Sequence, residues 1–234
     1  MNKFVEDFQE NGFALVKGVL TGKENENFRK IVEEYFADHP SLKFSGGRCL
    51  GGYTNITPEL KELNTFHEDK KMLDIAKAIL GEGFIFAGHS DLHQDKTTDW
   101  HRDILMGPYK IYQQRDLWDD DYKIIKIAFL LQDHSDNDYG LWVVPKSHNR
   151  RDDDPSVRAE GEYCVHSEVG DAIVFDQRIL HRGQLLSQYV EEYNQSRYLI
   201  TFGYGLDNTH TAEHARGTAA RQQDQRRNLT YKNG

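Results

Sequence analysis

The sequence predicts a mainly β protein of the α+β class, in which a sheet sandwich or barrel is buttressed by N-terminal helices. Up to about residue 85, apolar residues recur at three- and four-residue steps between charges, as in amphipathic helices. From Phe84 onward the pattern changes to short apolar segments separated by Gly, Asp and Asn. Helices first and strands afterwards favour this layered arrangement. The length of 234 residues suits a single domain over residues 1–234.

Two N-terminal segments carry the helical pattern most clearly, residues 23–37 and residues 69–80. The second is followed at once by Gly81-Glu82-Gly83, and glycine is the residue type that helix C-caps prefer. We therefore expect the second helix to end at Leu80.

The second half of the chain contains five short apolar segments that predict strands. They are rich in β-branched and aromatic residues and are bounded by turn formers. The segments are residues 84–87, 124–131, 141–144, 172–175 and 198–202.

Composition and charge argue against several classes of function. The net charge of -9 argues against a nucleic-acid partner, since such proteins usually present a basic surface. No apolar run approaches the roughly 18 residues of a membrane span, and the charged N-terminus lacks a signal-peptide core. The two cysteines, Cys49 and Cys164, indicate neither a disulfide framework nor a structural zinc site. We expect a cytoplasmic protein that acts on a small molecule.

Three residues have the types and order of a metal site, namely His101 and Asp103 in one segment and His181 further along the chain. Two imidazoles and one carboxylate are the ligands of the facial triad that holds non-haem Fe(II). On an extended strand, residues i and i+2 project to the same face, so His101 and Asp103 would grip one ion while Arg102 points away. The His-x-Asp pair alone is a common pattern, and its context has to support it.

Four further segments supply that context through a family resemblance. The segment at residues 138–148 ends in Pro-Lys-Ser-His, with Lys146 where glycine is usual. The segment at residues 168–176 leads into His181, and the segment at residues 196–204 contains Arg197. Together these segments, at residues 8–20, 138–148, 168–176 and 196–204, resemble the phytanoyl-CoA dioxygenase (PhyH) family of Fe(II)/2-oxoglutarate oxygenases.

The resemblance implies a fold, cofactors and a reaction. The fold would be a double-stranded β-helix, or jelly roll, of the cupin-like kind. The cofactors would be Fe(II), 2-oxoglutarate and O2, with ascorbate as a reductant. The reaction would hydroxylate an unactivated C–H of a small polar metabolite and release succinate and CO2. Because Asp103 is present, where related halogenases have a small residue, the resemblance disfavours halogenation.

The resemblance also implies two cofactor-binding residues. Arg197 would bind the distal carboxylate of 2-oxoglutarate, because a planar guanidinium makes bidentate, charge-assisted contacts. The insert at residues 185–195 makes the interval between His181 and Arg197 longer than is usual in the family. The alternative role of Arg197 is a surface ion pair. Arg182 is the rival, although next to a ligand on a strand it would face the other way. Phe129 aligns with an aromatic that lines the cosubstrate pocket in relatives, and a plain core role is its alternative.

Two other functions remain open from sequence. One is a non-catalytic sensor that keeps the fold and binds metal or 2-oxoglutarate. The other is a cupin-type metalloenzyme that does not use 2-oxoglutarate.

The remaining histidines suggest different roles. We expect His148 to hold a turn rather than a metal ion. His210 and His214 would share one face of a helix, and a solvated face is the expectation. His89 and His93 would share one face of a strand and line the pocket as substrate contacts.

Residues 104–122 form a long connection directly after the first two ligands. Long connections beside active sites often act as lids or specificity loops. This one contains several aromatic residues, one arginine and an acidic run, which would suit a polar or ring-bearing substrate with an anionic group. These residues are Tyr109, Tyr112, Arg115, Trp118 and the acids of residues 119–121.

Overall fold

The structure is a computed structural model that describes residues 2–44, 47–55, 60–96, 98–105, 117–118, 120–150, 161–183 and 196–231. Its helices are α1 (Lys3–Asn11), α2 (Gly22–Asp38), α3 (Lys61–Phe66), α4 (Lys70–Leu80) and α5 (Thr209–Tyr231). Its first five strands are β1 (Phe13–Val16), β2 (Lys43–Phe44), β3 (Gly47–Gly51), β4 (Phe84–Gln94) and β5 (Ile124–Leu130). The others are β6 (Leu141–Val143), β7 (Tyr163–Val165), β8 (Ala172–Asp176), β9 (His181–Gly183) and β10 (Tyr198–Leu206).

The strands form two antiparallel sheets. The major sheet has seven strands in the order β1-β8-β5-β10-β4-β3-β2, and the minor sheet has three in the order β7-β6-β9. The sheets face each other, because Ala128 and Ile173 of the major sheet pack with Leu141 and Val143 of the minor sheet. This is the jelly-roll-like sandwich that the sequence and its family resemblance predict.

The two faces of the major sheet bury different groups, as alternation along a strand requires. On β5, Ile125, Ile127 and Phe129 join the main core, which also contains Phe28 and Phe36 of α2. Ala128 and Leu130 point the opposite way, toward the minor sheet. The helices therefore cover one face of the major sheet, and the other face borders the space between the sheets.

Both predicted helices are confirmed, and their ends have local causes. At α2, the Thr21 hydroxyl accepts a hydrogen bond from the Glu24 backbone N–H at 3.2 Å, and the Glu24 carboxylate accepts one from the Thr21 N–H at 2.7 Å. This reciprocal capping box satisfies two helix-end donors. At α4, Asp69 caps the first turn, and Gly81 follows Leu80 with a φ of 82°, a conformation that glycine adopts readily.

All five predicted strand segments are found, but parts of the strand set were missed. β2 and β3 interrupt the N-terminal region that was expected to be mostly helical; β3 reads Gly-Arg-Cys-Leu-Gly and carries little apolar signal. β4 runs seven residues past the predicted end at Ala87, because the polar residues from Ser90 to Gln94 face neighbouring strands and an internal cavity. β7 and β9 have three residues each, too few for a periodic pattern.

None of the helices in the described part of the chain combines the length and apolar composition that a bilayer span requires. Cys49 and Cys164 are both buried and free, so the two cysteines of the sequence do not form a disulfide.

Candidate active site

A short backbone bridge brings the two predicted metal-binding histidines together. His101 N donates to His181 O at 2.9 Å, and His181 N donates to His101 O at 3.0 Å. Directly paired residues on antiparallel segments hold their side chains side by side. The two imidazole centroids are accordingly 4.3 Å apart.

Asp103 completes the group by a route that differs from the expectation. His101 and Asp103 were predicted on one extended strand, but the chain turns after the bridge and Asp103 begins a 3-10 helix (Asp103–Leu105). The turn still delivers the carboxylate, with Oδ1 at 3.7 Å from His101 Nε2 and 3.9 Å from His181 Nε2. Each residue has a ligand atom within 4.8 Å of those of the other two.

Arg102 points away from the triad, as predicted, and braces the surrounding chain. It is buried, its Nη1 donates to Ser147 O at 2.8 Å and to Arg178 O, and its guanidinium lies 5.1 Å from the Trp118 ring centroid. A guanidinium can satisfy several carbonyls at once because it carries five N–H donors. Arg102 thus fixes the segment that carries the first two predicted ligands.

Backbone carbonyls set which nitrogen of each histidine faces the triad. His101 Nδ1 lies 2.7 Å from Asp99 O, and His181 Nδ1 lies 3.1 Å from Ile179 O. A carbonyl only accepts, so each Nδ1 carries a proton and Nε2 is the nitrogen that faces the triad. Burial, and then the nearby His101, lower the pKa of His181 to about 3, which keeps its ring neutral. Neutral imidazole is the form that binds metals.

A buried lysine that was not predicted from the sequence balances the charge of Asp103. Lys126 Nζ lies 2.6 Å from Asp103 Oδ2, and both side chains are less than a tenth exposed. Burial by itself would raise the pKa of Asp103, but the Lys126 ammonium holds it well below its usual range. Lys126 is the single charge inside the apolar segment of residues 124–131, and that interruption was a usable signal.

The Pro-Lys-Ser-His segment supports the second histidine. Ser147 Oγ accepts from Leu180 N at 2.8 Å, and Val144 N donates to Leu180 O at 2.9 Å, directly before His181. His148 lies buried in the 3-10 helix Ser147–Asn149, which agrees with the expected turn role. Lys146 has a φ of 65°, a left-handed conformation that glycine adopts more readily than a residue with a side chain.

One cavity between the sheets joins the triad to the predicted cosubstrate arginine. Arg197 is buried on this cavity, and its Nη1 lies 3.5 Å from Lys96 O. Its backbone N donates to Asp95 Oδ1 at 2.7 Å, which fixes the start of β10. The rival Arg182 lies on the outer face, between Trp100 and Trp142 at 5.0 and 5.1 Å, as strand alternation predicts.

Phe129 is the predicted cofactor-binding residue that the structure does not bring to this cavity. On β5, the cavity is lined by Lys126, Ala128 and Leu130, and Phe129 projects from the opposite face. Its ring packs edge-on against Phe66 at 5.9 Å in the main core. Its position therefore corresponds to the plain core role, because one residue of register decides the face on which a strand side chain lies.

A polar wall lies on the cavity where β4 meets α5. Among the described residues, this wall consists of His89, Asp91, His214, Thr218 and Arg221. The ring nitrogens His89 Nδ1 and His214 Nε2 lie 3.2 Å apart, His89 Nε2 lies 3.0 Å from Asp91 Oδ2, and Arg221 Nη2 lies 3.3 Å from the same oxygen. Burial lowers the pKa of both histidines, so both rings are neutral.

The wall corrects one expectation and bears out another. His210 and His214 were expected on a solvated helix face, but both are buried on α5, since that helix packs across β4. His89 and His93 both line the cavity from β4, as predicted.

The predicted lid falls mostly outside the described residues. Residues 106–116 and 119 are not described, and these include Tyr109, Tyr112 and Arg115. At the ends of the connection, Ile104 and Tyr122 are buried and pack together with Ile124.

Solved structures share this fold. HygX from Streptomyces hygroscopicus, with nickel and 2-oxoglutarate bound, matches with a TM-score of 0.65 and 18% identity over 88% of this chain and 87% of that chain. The epimerase SnoN, in complex with Fe3+, alpha ketoglutarate and nogalamycin RO, has a TM-score of 0.67 and 14% identity over 87% and 82%. The carbocyclase SnoK from nogalamycin biosynthesis has a TM-score of 0.65 and 17% identity over 91% and 90%.

Sequence comparison gives the family. Among curated proteins, none matches this sequence. The family model for phytanoyl-CoA dioxygenase (PhyH) matches residues 8–185, which is most of the chain and includes all three triad residues. The chain therefore belongs to the phytanoyl-CoA dioxygenase (PhyH) family.

Proposed function

We propose that this protein is an Fe(II)- and 2-oxoglutarate-dependent dioxygenase that hydroxylates an unactivated C–H of a small polar metabolite, releasing succinate and CO2. The observation that carries the proposal is the convergence of His101, Asp103 and His181 on one cavity that also contains Arg197. Family membership and the metal- and 2-oxoglutarate-bound fold neighbours support it.

The donor set of the triad fits a ferrous ion. Two neutral imidazoles and one carboxylate on one side of an ion leave its other positions for exchangeable ligands. His101 and His181 would bind through Nε2, and Asp103 through Oδ1, the oxygen that lies near both histidines. When bound, iron with O2 and 2-oxoglutarate supplies the oxidation: one oxygen atom goes to succinate, the other to the substrate, and CO2 leaves.

Lys126 would orient the metal-binding carboxylate. Its ammonium holds Oδ2 of Asp103 at 2.6 Å, which leaves Oδ1 directed toward the histidines. A buried carboxylate without a partner would be unfavourable, and Lys126 compensates the charge. The site is thereby organised before the ion arrives.

Arg197 would hold the distal carboxylate of 2-oxoglutarate. Its burial strengthens a charge-assisted contact, because a low-dielectric environment screens charge less than water does. The nearby apolar side chains Leu130 and Leu199 on the same cavity would exclude water from the bound oxo acid.

The polar wall of β4 and α5 would bind the primary substrate. The triad and Arg197 account for the metal and the oxo acid, and the wall adds hydrogen-bonding groups that neither requires. Arg221 is paired with Asp91 and Lys126 with Asp103, and Lys96 adds a further buried cation to the same cavity. The cavity therefore suits a polar substrate, including one with the anionic group that residues 104–122 suggest. HygX has been solved with hygromycin B bound, and SnoN with nogalamycin RO.

A second outcome of the same chemistry is a candidate, because the fold neighbours include an epimerase and a carbocyclase. In that case the enzyme would act at a substrate C–H without hydroxyl transfer, either by inverting the carbon or by closing a new ring. Turnover under 18O2 distinguishes the two: succinate takes up label in either case, but only hydroxylation places label in the converted substrate.

We further propose that residues 1–234 act as one domain in the cytoplasm. The free state of Cys49 and Cys164 suits a reducing compartment, where ferrous iron is also maintained.

The test is succinate formation from 2-oxoglutarate with Fe(II), ascorbate and oxygen, with a panel of small polar substrates. We expect succinate with the wild type and none with His101→Ala. Arg216→Ala, on an exposed position of α5, serves as the arginine control for Arg197→Ala and should retain turnover. Iron binding with no 2-oxoglutarate binding would favour the cupin-type enzyme, and binding of both without turnover of any substrate would favour the sensor.

A further inference from the structure

A second group of metal-ligating side chains lies apart from the active site. Ligand atoms of Asp138, Cys164 and His166 all lie within 4.8 Å of one another, and His166 Nε2 is 3.7 Å from Asp138 Oδ1. Donor atoms about 2.0–2.3 Å from a tetrahedral zinc ion are separated by about 3.3–3.8 Å, so small side-chain adjustments would close this group around an ion.

The minor sheet holds these residues in place. Cys164 lies on β7 opposite Trp142 of β6, and His166 follows two residues later, directly after the strand. Trp142 Nε1 donates to Asp138 O at 2.9 Å, which fixes the backbone of the third residue. At Gly140 a Cβ would lie 2.8 Å from Val165 O, so the close approach of this connection to β7 beside Cys164 requires glycine.

The group lies on the outer face of the minor sheet. Leu141 and Val143 of β6 point inward to the core between the sheets, so Trp142 and its partner Cys164 point outward. The next residue along the same row is Arg182, whose guanidinium packs on Trp142. Among the described residues that line the active-site cavity, the group contributes none.

We infer that Asp138, Cys164 and His166 form a second divalent-cation site with a preference for Zn(II). A thiolate and an imidazole favour borderline metals such as zinc over Mg2+ or Ca2+, which prefer oxygen ligands. The Cys164 residue is 5% exposed, whereas the side chains of His166 and Asp138 are 42% and 68% exposed. An ion would therefore enter from solvent, settle on the sulfur, and keep a fourth position for water.

An ion bound at this site would cross-link two segments of the minor sheet and its connections. Asp138 belongs to the connection before β6, and the other two residues belong to β7 and its end, so an ion would join these two segments. Leu141, which lines the active-site cavity, pairs with Val165 between them. The inference is independent of the proposed oxygenase activity.

Cobalt absorption separates this site from the triad, because the triad has no sulfur. Metal-free protein titrated with Co(II) should develop a near-ultraviolet thiolate-to-cobalt band that saturates at one ion per chain. The band should persist in a His101→Ala/His181→Ala variant and vanish in Cys164→Ser. Cys49→Ser, which changes the other buried cysteine, should keep it.

Two further readouts guard against a folding defect in Cys164→Ser. His166→Ala changes a half-exposed residue and should weaken cobalt binding at least tenfold. Zn(II) should raise the thermal midpoint of the His101→Ala/His181→Ala variant by at least about 2 °C, through preferential binding to the folded state. The absence of a band in the wild type, or a band that survives Cys164→Ser or is equally tight in His166→Ala, would overturn the inference.

Discussion

The ammonium of Lys126 lies 2.6 Å from Oδ2 of Asp103, and both side chains are buried next to the two triad histidines. Removing one partner of a buried ion pair leaves an uncompensated charge. Lys126→Met should therefore lower the free energy of unfolding of the metal-free protein by about 3 kcal/mol. A divalent ion such as Mn(II) would supply the missing charge and restore more stability to the variant than to the wild type.

Denaturant unfolding with and without Mn(II) measures both effects. Lys123→Met, at an exposed position three residues earlier, is the control and should change stability little. An equal loss of stability with and without the ion would contradict the role assigned to Lys126.

Arg197→Ala should weaken 2-oxoglutarate binding while leaving metal binding nearly intact. A charge-assisted hydrogen-bonded contact contributes about 1.5–3 kcal/mol, which corresponds to a loss of roughly 10- to 150-fold in affinity. Calorimetry with Mn(II)-loaded protein gives the affinity directly, and Arg216→Ala is the exposed control on α5. An unchanged 2-oxoglutarate affinity would show that Arg197 does not bind the cosubstrate.

Lys146→Gly should stabilise the fold by about 0.5–1 kcal/mol, because a residue with a Cβ is strained in the left-handed region. Lys146 holds a φ of 65°, and its ion pair with Glu10 at 3.0 Å is well exposed and contributes little. Lys146→Ala removes the ion pair but keeps the Cβ, so thermal unfolding of both variants separates the two effects. A glycine variant that is less stable than the alanine variant would argue against strain.

Glu24 should make part of the free energy of unfolding depend on pH in the acid range. Lys71, followed by the Thr21 backbone N–H, lowers its pKa from 4.5 to about 2. Because the folded pKa lies below the unfolded value, the contribution is complete above pH 4.5 and is lost as the pH falls toward 2. The side chain is 38% exposed, so solvent screening limits the effect to about 1 kcal/mol.

Unfolding of wild type and Glu24→Gln at neutral pH and at about pH 3.5 should therefore show a difference that shrinks in acid. Glu34→Gln, at an exposed position on the same helix, controls for the loss of a surface charge. A difference that stays constant over this range would show that the carboxylate charge is not responsible.

The sequence was sufficient for the strand-rich fold and for the residue types that meet at His101, Asp103 and His181. It was not sufficient for the way they meet, since the His101–His181 bridge joins segments far apart in sequence. β5 is apolar apart from Lys126 and is buried on both faces, so its apolar residues do not show which face holds the cavity; Phe129 was preferred, and Lys126, the one charge that marks the cavity face, was overlooked. The face is set by the strands on either side, β10 and β8.

The burial of one face of the C-terminal helix could not be predicted from the sequence either. α5 is strongly polar, which is typical of a solvated helix, yet His210 and His214 are buried against the sheet. Tertiary packing decides the burial of such residues, and a polar cavity wall gives none of the apolar periodicity that marks a packed face.

The proposed function requires that His101, Asp103, His181 and Arg197 together hold iron and 2-oxoglutarate. The most direct test is the visible absorption of protein mixed anaerobically with Fe(II) and 2-oxoglutarate, which requires no knowledge of the primary substrate. We predict a coloured metal-to-oxo-acid complex in the wild type that is absent in His101→Ala and needs at least tenfold more 2-oxoglutarate in Arg197→Ala. No coloured complex in the wild type, or one of equal intensity and affinity in both variants, would contradict the account.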